Sequence, residues 1–288
     1  MAEVSPVVKT LTLEQIEVNL FRAGNPAWGG PRIFGGQVIA QALMAAYSTV
    51  EGRFCHSLQC YFIRPGDSAI PVLYEVEQSR DGRSFTTRRV KAIQKGEQIF
   101  NLNCSFQVEE SGLEHQRDMP DVPPPEGIAD ENEQFSRQAD KAPQFVQAMM
   151  RQRPIEMRPI NPLDPRAPEK ADPRALTWFR AYGEVSDDVP INQAILAYAS
   201  DFSLLSTSMR PHRVNWNMGQ MQTASLDHIL WFHRPSHMTD WHLYEQISPS
   251  ASGGRGMNLG YIYTRDGKLV ATVAQEGLIR VLKGGGRS

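Results

Sequence analysis

An aspartate and a histidine stand side by side at Asp227-His228, and another aspartate, Asp201, interrupts the apolar stretch from Ala197 to Leu205. Carboxylates and imidazoles move protons near neutral pH, so acid–base chemistry is the first reading of both places. On a strand the adjacent pair cannot work as a simple couple, because neighbouring residues point to opposite faces. Ser225 and Asp227, two apart, do share a face. His228 and His56 read more readily as satisfied core or sheet histidines than as bases. The near repeat of Cys55-His56-Ser57 in Asp227-His228-Ile229 points to a shared structural job. By residue type Asp201 is a helix-end or turn residue, yet a helix C-terminus disfavours negative charge. That unfavourable placement turns its reading toward function.

Other chemistries lack their residues. No Gly-x-Ser-x-Gly elbow occurs, so the serine-hydrolase route has no nucleophile in its usual setting. His-Glu-x-x-His and paired cysteines are absent too, and the chain carries no zinc signature. Gly253-Gly254-Arg255-Gly256 lies between strand-like segments and not before a helix, which makes it a turn or bulge and not a dinucleotide fingerprint. A formal net charge of −2 argues against a nucleic-acid partner, which would call for a basic face. No run approaches 18 apolar residues, so no membrane insertion is expected. Cys55, Cys60 and Cys104 form an odd, unpaired set, which together with the lack of a signal-like N-terminus or a Ser-Lys-Leu tail points to the cytoplasm.

The elements that would position these residues fall into two sets. A chain of 288 residues favours about two domains. Of its 20 prolines, 11 lie between residues 111 and 173, around Pro123-Pro124-Pro125 and the acidic run Asp130-Glu131-Asn132-Glu133. Proline fixes φ and removes a donor, so this segment reads as a connection with one helix around Gln134–Arg151. The expected division is therefore 1–110, 111–173 and 174–288. The outer parts resemble each other: Ile63-Arg64-Pro65 and His233-Arg234-Pro235, then Leu73-Tyr74-Glu75 and Leu243-Tyr244-Glu245, both 170 residues apart. Gly82-Arg83 and Gly254-Arg255, Lys95-Gly96 and Asp266-Gly267, and the Gln-Ala pairs at 41 and 193 keep the same order, which indicates an internal duplication. Each part predicts one buried helix, at 36–50 and 190–199, followed by strands. These are expected near 57–63, 72–79, 83–94 and 98–108, and again near 221–232, 242–248, 256–264 and 268–281. Asp266-Gly267 is a hairpin turn. Consecutive strands with short turns make antiparallel sheet, whose apolar face the helix must cover.

Phe34-Gly35-Gly36-Gln37-Val38 and Tyr61-Phe62-Ile63-Arg64-Pro65-Gly66-Asp67 resemble the type II acyl-CoA thioesterases. So do Tyr198-Ala199-Ser200-Asp201, Ser225-Leu226-Asp227-His228, Trp231-Phe232-His233-Arg234-Pro235 and Gln275-Glu276-Gly277. The likeness runs in family order from about Leu13 to Arg280 and is weakest in the connection. It implies an α+β double hotdog: two antiparallel sheets, each wrapped around a long central helix, fused in one chain. It also implies hydrolysis of acyl-CoA without metal or cofactor, and self-association into a homodimer or homotetramer. Asp201, Ser225 and Gln275 match the family's catalytic Asp, Thr or Ser, and Gln. Ser225 stands where bacterial members often carry Thr and keeps the hydroxyl.

A thioester carbonyl is already activated, and its thiolate leaves with a pKa of roughly 8.5, so little acid help is needed. What neutral solution lacks is an oriented, partly deprotonated water. Asp201 would act as base, Ser225 and Gln275 would orient the water, and backbone amides at a helix N-terminus would receive the oxyanion. A nucleophilic Asp201 forming a mixed anhydride is the rival route. Aligning Gln41 with Gln193 sets Thr49 opposite Asp201, so one working site per chain is expected. A hotdog hydratase or dehydratase, or a non-catalytic acyl-CoA binding protein, are the alternative functions.

Overall fold

The computed structural model describes residues 3–26, 31–136, 154–164, 169–214 and 221–282. In the first half a short helix α1 (Pro6–Leu11) and two strands, β1 (Glu14–Glu17) and β2 (Leu20–Ala23), precede the long helix α2 (Gly35–Tyr47). Strands β3 (Phe54–Phe62), β4 (Val72–Asp81), β5 (Phe85–Gln94) and β6 (Glu97–Gln107) follow. After the connection and its helix α3 (Glu131–Ser136), the pattern returns. It runs β7 (Ile155–Pro159), β8 (Arg174–Ala181), α4 (Val189–Ser200), a one-turn α5 (Leu204–Thr207), β9 (Met221–Ser225), β10 (Asp227–Phe232), β11 (His242–Ser252), β12 (Arg255–Thr264) and β13 (Leu269–Val281). Beyond Ser136, the helix expected at 134–151 lies outside the described residues.

The described strands form one thirteen-stranded antiparallel sheet in the order β1-β2-β4-β5-β6-β3-β10-β13-β12-β11-β8-β7, with β9 on β13. Read from either end, the order lists corresponding strands, so the duplication seen in the sequence is a two-fold repeat in space. The join is the β3–β10 ladder, where Leu58 faces Leu230 and Cys60 faces His228. This buries inside one chain the edges that two separate sheets would expose. The matched Arg-Pro motifs make the same bonds. Ile63 and Arg64 both donate backbone N–H to the Ile99 carbonyl, as His233 and Arg234 do to Val270.

The sheet curls around α2 and α4, which lie against each other. Small residues let them approach: Ala40, Ala42, Ala45 and Ala46 on one, Ala194, Ala197 and Ala199 on the other, all buried. They run antiparallel, since Gly36 at the start of α2 lies on the Tyr198 carbonyl near the end of α4. At the other end Tyr47 donates its hydroxyl to Gln193. Among the described residues no helix is long and apolar enough to cross a membrane.

The proline-rich connection does more than span a gap. It contributes β7, an edge strand that ends at Pro159, where a missing donor is tolerated. It also covers the outer face of the second sheet. Met119, Val122, Ile128 and Ile160 pack on a second core of Trp178, Trp241, Leu243, Tyr263 and Leu269. Trp178 donates its indole N–H to the Pro123 carbonyl at 2.8 Å. Strands β1, β2, β7 and β8 went unforeseen: the first three are short or proline-bounded, too brief for alternation to register, and β8, eight residues long, does not alternate strictly.

Leu230 is fully buried at the join of the halves. Leu230→Ala should lower the unfolding free energy by about 2–5 kcal/mol. Urea denaturation should still show a single transition for both halves.

Candidate active site

Asp201 closes the C-terminus of α4, and its side chain is only 5% exposed. The antiparallel packing sets it against the N-terminus of α2, so the end of one helix that repels a carboxylate is offset by the end of another that attracts it. The Gly36 N–H donates to Asp201 Oδ2 at 2.9 Å. Gln275 Nε2 donates to Asp201 Oδ1 at 2.7 Å. The Ser225 hydroxyl stands near enough to act on the carboxylate as a third, longer-range donor. The three residues singled out from sequence therefore meet around one carboxylate, brought from α4, β9 and β13. Burial pushes the Asp201 pKa up to about 6, against the pull of these three donors.

Ser225 reaches the site because the β9–β10 segment kinks at Leu226. Ser225 pairs with Gly277 on β13, whereas Asp227 begins the next strand. At the kink the Leu226 N–H donates to the Glu276 carbonyl, and the Phe62 N–H donates to the Leu226 carbonyl. Asp227 completes the turn by accepting the Glu276 N–H at 2.6 Å. Its carboxylate holds the bend in place. Gln275 sits nearly fully buried on the inner face of β13, so it does not point to solvent as a residue of a polar strand face would.

His228 is fully buried behind Gln275. Burial holds its imidazole down to about 3, so at neutral pH it is uncharged, has no proton to give as a general acid and is a weak base. Its ring contacts Ser200 Oγ through Nε2 at 2.8 Å and Gln275 Nε2 through Nδ1 at 3.2 Å. Gly36, Ser200 and His228 are the participants that sequence reasoning did not assign. Only the Gly35-Gly36 pair opening a helix gave a signal, since glycine marks close backbone approach.

The first half has the same framework with other contents. Counting from Ile99 and Val270, Cys104 stands where Gln275 does. Arg88, opposite Cys104, stands where Asn258 does opposite Gln275. Thr49 lies two residues past the end of α2, and Asp201 one residue past the end of α4. The buried Arg88 guanidinium fills this place, donating to Thr49 Oγ1 at 2.9 Å, to the Thr49 carbonyl at 3.0 Å and to Asp81 Oδ1 at 2.8 Å. No carboxylate occupies the position of Asp201 there.

Among the described residues no three His, Cys, Asp or Glu side chains gather as a group that could hold a metal ion. Fold and site together define a double-hotdog enzyme with a single buried carboxylate at a helix–helix junction. The family model for acyl-CoA thioesterase matches residues 150–278, and that for the acyl-CoA thioesterase N-terminal domain matches residues 25–107. Acyl-CoA thioesterase 2 of Haemophilus influenzae is 41% identical over 276 residues, covering 95% of this chain and 96% of its own. Human acyl-coenzyme A thioesterase 8 is 40% identical over 285 residues, covering 96% and 89%. The crystal structure of an acyl-CoA thioesterase II from Mycobacterium marinum superposes with a TM-score of 0.79 at 39% identity, over 97% of this chain and 100% of that one. The chain belongs to the acyl-CoA thioesterase II family and is an acyl-CoA thioesterase.

A Cβ on Gly36 would run into the Tyr198 carbonyl and the Phe34 ring. Gly36→Ala should therefore part the two helix ends and lower kcat at least about tenfold, equivalent to about 1.4 kcal/mol at the barrier. Circular dichroism should show the secondary structure retained.

Proposed function

We propose that hydrolysis proceeds by direct attack of a water that Asp201 deprotonates and that Ser225 and Gln275 orient. The supporting observation is the Asp201 carboxylate, buried, held by three donors and raised to about 6. A pKa near the working pH makes a stronger base than an exposed aspartate, while at neutral pH the group is still mostly ionised. Gly36 and Gln275 fix the carboxylate plane, so its remaining lone pairs face a defined direction. The hydroxyl of Ser225, its one hydrogen turned to Asp201, can accept from a water, and so can the Gln275 carbonyl oxygen. As the water attacks, its proton passes to Asp201 and the carbonyl oxygen becomes negative. The positive end of α2 lies beside this charge and favours it. Collapse of the tetrahedral adduct breaks the C–S bond and releases CoA thiolate and the carboxylic acid.

One site per chain is part of the same reading, because Arg88 and Thr49 replace the acid and its neighbours in the first half. We take residues 1–110 and 174–288 as the two hotdog units and 111–173 as their connection. Self-association into a homodimer or homotetramer fits the outer face of the central strands, where Phe54, Tyr61, Phe85 and Trp231 are exposed. Residence in the cytoplasm fits three free, buried cysteines.

Asp201→Asn should lower kcat on a saturated acyl-CoA by about 10²–10⁴ while leaving the fold intact. Near-normal thiol release would refute the base assignment. In the parent enzyme kcat/KM should fall tenfold per pH unit below about 6, the pKa of Asp201, since only its ionised form accepts a proton. Single turnover in heavy-oxygen water should place no label on the protein; label in Asp201 would establish the anhydride route instead. Titration of sites with a tight acyl-CoA analogue should give one per chain.

A further inference from the structure

The proposed site leaves one question of orientation open. A glutamine amide can be turned by 180°, and only one of the two settings gives Asp201 an N–H and leaves a carbonyl oxygen for water. Nothing in Gln275 itself chooses between them. The choice is made by a row of groups running back into α4.

We propose that His228 is a positioning residue that sets the facing of the Gln275 amide, its own tautomer being dictated by Ser200; this rests on the reading of Gln275 as a water-orienting residue. A count of protons fixes the arrangement. Ser200 has a single hydroxyl hydrogen, which it donates to the Ala197 carbonyl one helical turn back at 2.9 Å. Toward His228 Nε2, at 2.8 Å, Ser200 Oγ can then only accept. The proton of the neutral ring therefore sits on Nε2, and Nδ1 carries a lone pair. Nδ1 in turn requires a donor, and the group 3.2 Å away is Gln275. The amide nitrogen has two hydrogens, one for Nδ1 and one for Asp201 Oδ1 at 2.7 Å. Both nitrogen-side partners are now acceptors, so the reversed amide would set oxygen against lone pairs on both sides.

The carbonyl oxygen that remains, Gln275 Oε1, is buried and meets no hydrogen-bond donor among the described residues. A buried carbonyl left without a donor is costly, and the water of the proposed reaction would supply one. Ring rotation could disturb the arrangement, but His228 is fully buried on β10, between β3 and β13 at the join of the halves. Burial also holds its imidazole down to about 3, so the single-proton count applies across the working range of the enzyme.

The test begins on the unaltered enzyme. Nitrogen-15 spectra of histidine-labelled protein should show, for one of its seven histidines, a protonated Nε2 and an unprotonated Nδ1 at neutral pH. His228 is assigned by the loss of its signals in His228→Asn, or, should that variant not fold, by their displacement in Ser200→Ala. The opposite tautomer, or a charged ring at pH 7, would overturn the proposal whatever the kinetics. Ser200→Ala removes the acceptor that fixes the ring and should lower kcat by about three- to tenfold with KM unchanged. It should also move the acid limb of the pH profile upward, because Asp201 loses a donor to its charged form. Ser200→Thr should restore both. An unmoved acid limb in Ser200→Ala, or no rescue by threonine, would reduce Ser200 and His228 to packing. Failure of the water-orienting reading itself appears elsewhere, as Gln275→Ala turning over at the parent rate, and leaves the tautomer measurement intact.

Discussion

A carboxylate held between two opposed helix ends is the constraint around which the molecule is organised. Left at the C-terminus of α4 alone, Asp201 would suffer the helix dipole and the loss of water together. Facing it with the N-terminus of α2 requires that the helices run antiparallel and nearly touch. That in turn needs small residues along both and a glycine at the point of contact. The sheet must then curl far enough to enclose the pair, and its two halves must be joined so that neither helix can slide. The stability sign follows from the raised pKa. The protonated form gives its full contribution below about pH 4, and this is lost as pH rises through 6, a cost of up to about 3 kcal/mol carried by the rest of the fold.

Much of this was legible in the chain. Helix and strand positions followed from apolar periodicity, and the duplication from short motifs in constant order. The repeated Arg-Pro segments return in space as identical backbone bonds around Ile99 and Val270. The site was legible in a different way. Asp201 carried a faint physical mark, a charge in an apolar helix end, but Ser225 and Gln275 carried none of their own. Their convergence depends on the kink at Leu226 and on the register of β12, β13 and β10, which involve backbone contacts between residues far apart in sequence. Short strands such as β1, β2 and β7 were missed for the plain reason that four or five residues show no clear alternation. Within the connection, the prolines concealed both the strand β7 and the packing of Met119, Val122 and Ile128 on the outer face of the sheet.

Around the candidate site of the second half, donors and acceptors form a row that begins at a helix carbonyl and ends at the carboxylate. Each member has its direction set by the one before. Asp227 lies beside this row without joining it, its carboxylate committed to the bend that delivers Ser225. Two neighbouring residues, Asp227 and His228, thus serve opposite sides of one strand, one shaping the backbone and the other facing inward.

The ladder between β3 and β10 has a consequence for how such a protein can change. Were the two halves separate identical subunits, any substitution would be copied into both, and a cation introduced at one acid would appear at the other as well. Covalent fusion removes that coupling. One copy could lose its carboxylate and fill the vacancy with Arg88, bound to the main chain of its own helix end, while the other kept its chemistry. Joining two genes' worth of chain into one thus frees each half to take side chains that the other lacks.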